Sequence, residues 1–403
     1  MKNKLLFLGI LLALAACVGP TPPGEVLPPK KTPPLQPVSW QDVDGWNQES
    51  KAAALATFAK SCPSIAKREQ WRMVCAAASM LEAGDEMAAR EFFENYFQPY
   101  QVHNQDGSTS GLITGYFGPE LAGSRVKTER YKYPIYGQPS DLLIIDLNEI
   151  YPELSNYRLR GRVVGNRVVP YYQRSEIDSD SAPLTGEELF WVDDPVELFF
   201  LQIQGSGRIR LPDGQVVMLG YANQNGRPYQ SIGKLLLDKK EMTRDQMSMQ
   251  NIRRWVEAHP AEGKKLLEEN PSYVFFRELP ADIKSPPGAL GVPLTAERSL
   301  AVDPRTIPLG APVFLATTYP GGEPLKRLMV AQDTGGAIKG QVRADMFWGM
   351  GDDAGQYAGR MKQAGRLWVL LPKEIDKGPD ADTEIATGQN KAPTNPPLDQ
   401  PGG

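Results

Sequence analysis

The sequence predicts a mainly β, α+β protein, with a helical N-terminal region followed by small β-barrel or sandwich units. Three observations predict it. Beyond His103, short apolar runs alternate with turn residues such as Gly165-Asn166 and Asp213-Gly214, the pattern of hairpins rather than of a helical bundle. Glycine and proline are abundant, at 38 and 36 of 403 residues, which suits a loop-rich β architecture. Helical spacing is concentrated in two stretches, Trp40 to Phe97 and Ser231 to Glu269.

In chain order, Lys2 and Lys4 precede an apolar run from Leu5 to Leu14, which ends in Leu14-Ala15-Ala16-Cys17. This is a signal peptide, with an h-region too short to span a bilayer. The terminal cysteine fits a bacterial lipoprotein box, so residues 1–17 are expected to end in cleavage before Cys17 and its acylation. Several acyl chains on one residue anchor stably where one is marginal. Val18 in place of an acid directs such a lipoprotein to the outer membrane, on the periplasmic face. Residues 18–38 read as a Pro-rich tether without capacity for a core. With Cys17 acylated, Cys62 and Cys75 remain. In an oxidising compartment they read as one disulfide, with two buried free thiols as the alternative.

From Trp40 the residues Trp71, Val74, Cys75, Ala78 and Leu81 recur at helical spacing, and a further helix follows Gly84-Asp85. GLITGYFGPEL reads as a strand running into a turn, and DLLIIDL as an apolar strand. YRLRGRVVGNRVVPYYQR is a hairpin, and VELFFLQIQGSGRIRLPDGQVVMLGYA reads as another. Helices are expected at Ser231–Leu237, Ser248–His259 and Ala261–Glu269. A final β block runs from about Ala289 to Pro372, and a disordered tail is expected after it.

The chemistry concentrates in that block. Asp333 and Asp345 lie in AQDTGGAIKGQVRADMFWGMG, separated by a Gly-rich turn, Lys339 and Arg343. Asp303 ends a third apolar run, SLAVDPRTIPLG. Three acids at the ends of strand-like segments can meet in a closed β-structure. Each also has a plainer reading: Asp303-Pro304 as a turn initiator, Asp333 as a turn former on backbone amides, Asp345 as a structural acid. The DTG triplet alone does not make an aspartic protease, which needs a second copy. His103 and His259 stand in no ligand-like spacing, so neither metal nor cofactor is expected. The net charge of −4 is spread along the chain, and no basic patch points to nucleic acid.

With these residues in hand, the chain resembles the membrane-bound lytic murein transglycosylase A family over roughly Gly111 to Pro372. The resemblance is carried by Thr114-Gly115-Tyr116-Phe117, by Gln202-Ile203-Gln204-Gly205-Ser206-Gly207, and by SIGKLL, MSMQNIRRW, NPSYVFF, LAVDPRTIPLG and the two-aspartate stretch. It implies a double-psi β-barrel built from residues 39–133 and 287–372, with a smaller β domain, 134–286, inserted and forming a wall of a glycan groove; 373–403 are the tail. The final block also resembles a three-aspartate module. Phe117 and Thr334 depart from the family's common residues, and neither is expected to touch an acid.

The implied activity cuts the β-1,4 bond between N-acetylmuramic acid and N-acetylglucosamine in peptidoglycan, leaving a 1,6-anhydro end. The muramyl C6 hydroxyl is the nucleophile, so one carboxyl group can serve as acid and then base. The resemblance gives that role to Asp345, which must start protonated. Burial beside Phe347 and Trp348 and the charge of Asp333 would raise its pKa, and Asp333 could stabilise positive charge at C1. Thr114, Tyr116, Gln202, Gln204, Ser206, Tyr221, Lys339 and Asp303 are the candidate substrate-binding residues. The family's role in wall growth implies contact with wall synthases. An inverting hydrolase and a non-catalytic glycan-binding lipoprotein are the rival expectations.

Overall fold

The computed structural model describes residues 32–373 apart from Asp245. The signal segment with Cys17, the first part of the tether and the tail from 374 lie outside the described residues. The N-terminal region begins with β1 (Leu35–Pro37), followed by α1 (Ala52–Ile65), α2 (Glu69–Ser79) and α3 (Glu86–Tyr96). Strands β2 (Phe97–Val102) and β3 (Gly111–Gly118) follow. The end of the tether, read as extended and without capacity for a core, forms β1, antiparallel to β2 at the sheet edge, a position that tolerates Pro37.

The next segment holds β4 (Glu120–Ser124), β5 (Tyr133–Tyr136), β6 (Leu143–Ile144), β7 (Arg160–Val164), β8 (Arg167–Pro170) and α4 (Arg174–Ile177). Then come β9 (Glu188–Val192), α5 (Pro195–Gln204), β10 (Gly207–Arg210) and β11 (Val216–Gln224). Helices α6 (Ile232–Asp238), α7 (Met249–Ala258) and α8 (Pro260–Glu268) precede β12 (Val274–Glu278). The last block is β13 (Ser299–Val302), β14 (Pro312–Thr318), β15 (Pro324–Asp333), β16 (Arg343–Met350), α9 (Asp352–Ala358) and β17 (Lys362–Pro372).

One sheet has the order β1-β2-β17-β14-β15-β13-β16-β3, and an added β17–β3 pairing closes β17, β14, β15, β13, β16 and β3 into a ring. The main core lies between this ring and α1–α3, where Phe58, Trp71, Phe93 and Phe97 are fully buried. Cys62 and Cys75 are bonded, joining α1 to α2, so the free-thiol alternative is set aside. A second sheet runs β12-β11-β10-β4-β9-β5, and β6-β7-β8 form a third. Because β4 pairs with β9 and β10, the small domain's sheet begins at Glu120, ahead of the expected 134.

The β7–β8 hairpin forms as expected, with Gly165 at φ +61°. So does the turn at Asp213-Gly214 between β10 and β11. VELFFLQ is not a strand but helix α5. Asp194 caps it by accepting from the N–H groups of Val196 and Glu197, Pro195 opens its first turn, and Gly205 ends it at φ +76°. An apolar run is ambiguous by itself; the caps at both ends decide it. DLLIIDL pairs only over Leu143–Ile144, and Ile144 is exposed, so no buried face fixes a longer strand there.

Strand β15 carries a bulge. Leu300 pairs with Ala331 and Ala301 with Asp333, which leaves Gln332 out of the ladder. Gln332 is fully buried. Its amide donates to the carbonyl of Thr57 (3.1 Å) and to Ser61 Oγ (2.8 Å), and its side-chain oxygen accepts from Ser299 Oγ. Replacing Gln332 by Met removes these three buried hydrogen bonds. Gln332→Met is expected to lower stability by about 2 kcal/mol in urea unfolding; a change near zero would mean that α1 and β15 are held by packing alone.

Candidate active site

The bulge brings a row of residues into register. Ala301 on β13 pairs with Asp333 on one side and with Asp345 on the other, and Asp345 pairs with Thr114 on β3. Residues opposite one another across neighbouring strands share a face, so both aspartates lie on the face of Ala301, which is buried in a small apolar cluster with Tyr116, Leu294, Ile338 and Phe347. Their main chains are two strand spacings apart, roughly 10 Å.

Asp345 Oδ1 accepts from Thr114 Oγ1 at 2.6 Å. The Arg343 guanidinium donates to the same Thr114 oxygen at 2.9 Å. Burial pushes the Asp345 carboxyl up to about 6 and the charge of Asp333 adds to the rise, against the lowering effects of Thr114 and Arg343. Asp333 accepts from the N–H groups of Ala289 (2.8 Å) and Thr334 (2.9 Å) through Oδ1, and from the Tyr116 hydroxyl (2.8 Å) through Oδ2. Burial raises its pKa too, and these three donors oppose the rise. Thr334 therefore does touch an acid, through its main chain, which leaves its side chain free to vary.

Phe347 sits on the site face, with its ring 5.2 Å from that of Tyr116. Trp348, expected beside Asp345, points the other way. It belongs to the main core and stacks on Tyr357. On a strand neighbours two apart share a face and adjacent residues do not.

The other candidates divide. Asp303 is 2 % exposed, and its carboxylate is taken by Arg305 (2.9 and 2.6 Å) and by the N–H of Gly340 (2.9 Å). The Arg305 guanidinium, helped by these N–H donors, holds it well below the usual carboxylate range. It anchors the Gly340 turn to the end of β13 rather than presenting oxygens to a ligand. Gln202, expected to bind substrate, is 5 % exposed and accepts from buried Arg174. Gln204 accepts from the N–H of Phe117 at 3.2 Å, tying the end of α5 to β3. Ser206 is partly exposed beside it, and Lys339 and Tyr221 are exposed.

Sequence reasoning gave no role to Arg343, to the N–H of Ala289 or to Ala301. Arg343 could have been found, because it stands two residues before Asp345 on a strand. The histidines are accounted for locally: His103 Nδ1 lies 3.2 Å from the Gly107 carbonyl, and His259 stacks on Trp255. Among the described residues no group of three His, Cys, Asp or Glu side chains could hold a metal ion, and no helix is long and apolar enough to cross a membrane.

Comparison with known proteins gives this geometry a family. Residues 112–277 match the MltA specific insert domain, and residues 298–371 match the 3D domain. The chain belongs to the membrane-bound lytic murein transglycosylase A family. It is 32% identical over 384 residues to membrane-bound lytic murein transglycosylase A of Escherichia coli (strain K12), covering 91% of this chain and 95% of that protein. The crystal structure of MltA from Neisseria gonorrhoeae in its monoclinic form superposes with a TM-score of 0.74 at 40% identity, covering 85% of this chain and 93% of that one. E. coli MltA with bound chitohexaose superposes at 0.66 with 31% identity, covering 85% and 96%. The two matched segments meet in the site: Thr114 and Tyr116 come from the first, Asp333 and Asp345 from the second.

A carboxyl whose folded pKa is raised stabilises the fold below its unfolded value, near 4, and that contribution is lost as pH rises through about 6. Wild type should therefore lose stability relative to Asp345→Asn between pH 4 and 7, by on the order of 1–2 kcal/mol given its partial solvent contact. Urea unfolding at both pH values measures this. A constant difference would return Asp345 to an ordinary carboxylate.

Proposed function

We propose that the protein is a peptidoglycan lytic transglycosylase in which Asp345 alone carries the proton chemistry. It cleaves the β-1,4 bond between N-acetylmuramic acid and N-acetylglucosamine and leaves a 1,6-anhydromuramic acid end. The observation that carries the reading is the row Asp333, Ala301, Asp345, Thr114, in which two carboxyl groups of different surroundings share one face.

The difference in surroundings assigns the roles. Three donors hold Asp333, which favours its ionised form, while Asp345 has one hydroxyl partner and a pKa near 6. Asp345 enters the reaction protonated and gives its proton to the leaving glycosidic oxygen as the C1–O bond breaks. The resulting carboxylate takes a proton from the C6 hydroxyl as that oxygen closes on C1. The attack is intramolecular, so no water has to be held. Ionised Asp333 stabilises the positive charge that develops at C1.

Inverting hydrolysis is the rival that the spacing of the acids keeps in view, since carboxyl groups several ångströms apart can bracket a water. Asp333 is a poor base for it, because both of its oxygens already accept hydrogen bonds. Thr114, Tyr116, Ser206, Tyr221 and Lys339 are left as sugar contacts. Tyr116 also orients Asp333. Gln204 serves the joint between α5 and β3 and can still offer its amide nitrogen, whereas Gln202 and Asp303 hold the scaffold. The closed ring, with its parallel β13–β15 and β16–β3 pairs, supports a double-psi barrel. Lipid on Cys17 would hold the enzyme at the periplasmic face of the outer membrane, with the glycan strands of peptidoglycan as its substrate and wall synthases as protein partners.

Mass spectrometry of products released from purified sacculi tests the reaction. Wild type is expected to give ends lighter by one water than hydrolytic ends, and Asp345→Asn to lose about a thousandfold in rate. Reducing ends would move the mechanism to hydrolysis, and persistent cleavage by the variant would move the acid off Asp345. The rate kcat/KM should fall as pH rises above about 6, where Asp345 gives up its proton. A rate unchanged to pH 8 would contradict a protonated Asp345.

A further inference from the structure

The small domain contains a cleft that the reaction does not use. It has a volume of about 1000 Å³ and is enclosed by β5, β9, α4, the start of α5 and the α7–α8 pair. Asp333 and Asp345 do not line it. Helix α5 separates the two places: Asp194 at its first end lies in the cleft, and Gln204 at its other end touches Phe117. Ten helical residues put these ends about 15 Å apart.

Asp193, Asp194, Glu257, Lys264 and Glu268 also line the cleft and are held in ion pairs; of the remaining charges, two lysines stand at one end of the β5–β9 pair and two carboxylates at the other. At one end Tyr133 pairs with Val192 and Pro134 with Trp191; here Lys127 lies over the Trp191 ring at 5.0 Å and Lys132 over Tyr133 at 5.4 Å. Neither lysine makes an ion pair among the described residues. At the other end Tyr136 pairs with Glu188, and Asp178 stands near enough to raise the Tyr136 pKa. Glu188 has no cationic partner among the described residues. Asp178 is 3.9 Å from Arg174, whose guanidinium is already bonded to Gln202 and to the carbonyls of Asn270 and Ser272. Three residues of strand separate the two ends, about 10 Å.

Tyr273 forms part of the wall at the acidic end, its ring 6.3 Å from that of Tyr136. It is 1 % exposed, and its hydroxyl has no hydrogen-bond partner. The Gln202 amide oxygen is taken by Arg174 and offers the hydroxyl no acceptor. A buried hydroxyl left unpaired is costly, so an acceptor supplied by a ligand would be favourable there.

We propose that this cleft binds the peptide stems borne by the glycan, seating an amine against Asp178 and Glu188 and a carboxylate against Lys127 and Lys132. N-acetylated sugars have no amine to offer a pair of acids. A stem peptide carries the free amine of its diamino acid together with carboxylates, and its carbonyls provide the acceptor that Tyr273 lacks. The choice of peptide rests on the peptidoglycan reading above; the separated charges and the unpaired hydroxyl do not.

Amidase digestion of sacculi yields both probes, the released stem peptide and peptide-free glycan strands. Calorimetric titration of the full-length protein in detergent with the stem peptide should show binding. Asp178→Asn with Glu188→Gln, and separately Lys127→Ala with Lys132→Ala, should each weaken it by about tenfold or more. Acetylating the peptide amine should weaken binding to wild type by a similar factor and add little in the acid-pair variant. Cleavage of peptide-free strands should stay at the wild-type rate in both variants, which also reports that they fold. No peptide binding, binding equal in wild type and variants, or displacement of the peptide by peptide-free strands would overturn the proposal. Failure of wild type to cleave any glycan would instead refute the enzymatic reading, and the titrations would still decide the cleft.

Discussion

The site depends on one extra residue in β15. Without the bulge at Gln332, Ala301 would face Gln332, and Asp333 would be carried to the opposite face of the sheet, because side chains alternate. The bulge is held from outside the sheet by Thr57 and Ser61 of α1 and from within it by Ser299. A fully satisfied buried amide is a specific fastener: it fits one register and leaves unpaired groups in any other. The N-terminal helices therefore do more than cover the ring. They fix the register that places Asp333 beside Ala301 and in line with Asp345.

A second constraint comes from β3, which pairs with both β16 and β17 and so closes the ring. Thr114 and Tyr116 reach the two acids only because of that closure. Their different chemistry also separates the acids electrostatically. Thr114 gives Asp345 a single hydrogen bond, and its oxygen is itself polarised by Arg343. Tyr116 joins two main-chain N–H groups on Asp333, and its own proton is held tightly, since burial and the Asp333 carboxylate raise its pKa well above the usual phenol value. Two carboxyls in one row cannot both ionise easily. In the proposed reaction the one with more donors takes the charge, and the other keeps the proton that leaving-group chemistry requires.

Much of this was legible in the sequence because it is local. The hairpin at Gly165-Asn166, the buried face of α2 and the strands around Asp303, Asp333 and Asp345 follow from period and turn chemistry. The helix at Pro195–Gln204 was legible too, in Asp194-Pro195 and Gly205, but its apolar run resembles a strand when the caps are overlooked. What could not be read was register. Nothing in AQDTGG announces that Gln332 leaves the ladder, since its partners in α1 lie 275 and 271 positions away. Gln202 and Gln204 show the same limit: identical side chains two residues apart, one buried on Arg174 and one at the edge of β3. Asp303 failed as a ligand candidate for a nearer reason. Arg305, two residues on, satisfies it, and an Asp-Pro-Arg sequence can do that only when the chain turns as it does after β13.

The junction of the two domains extends the dependence on β3. The strand ends at Gly118, and the small domain's sheet starts at Glu120, which pairs with Arg208 across β4 and β10. At Gly207 an added Cβ would stand 2.7 Å from the carbonyl of Pro119, so only glycine permits that approach. Beside it, Gln204 accepts from the N–H of Phe117, the residue after Tyr116. The small domain is thus fastened to the strand that carries Thr114 and Tyr116, within a few residues of both. A displacement of that domain would act on β3 first, and through Tyr116 on the donor count at Asp333. The attachment of the inserted domain and the hydrogen bonds at both aspartates are therefore set by the same strand, so in the proposed reaction the position of that domain would bear on the proton balance as well.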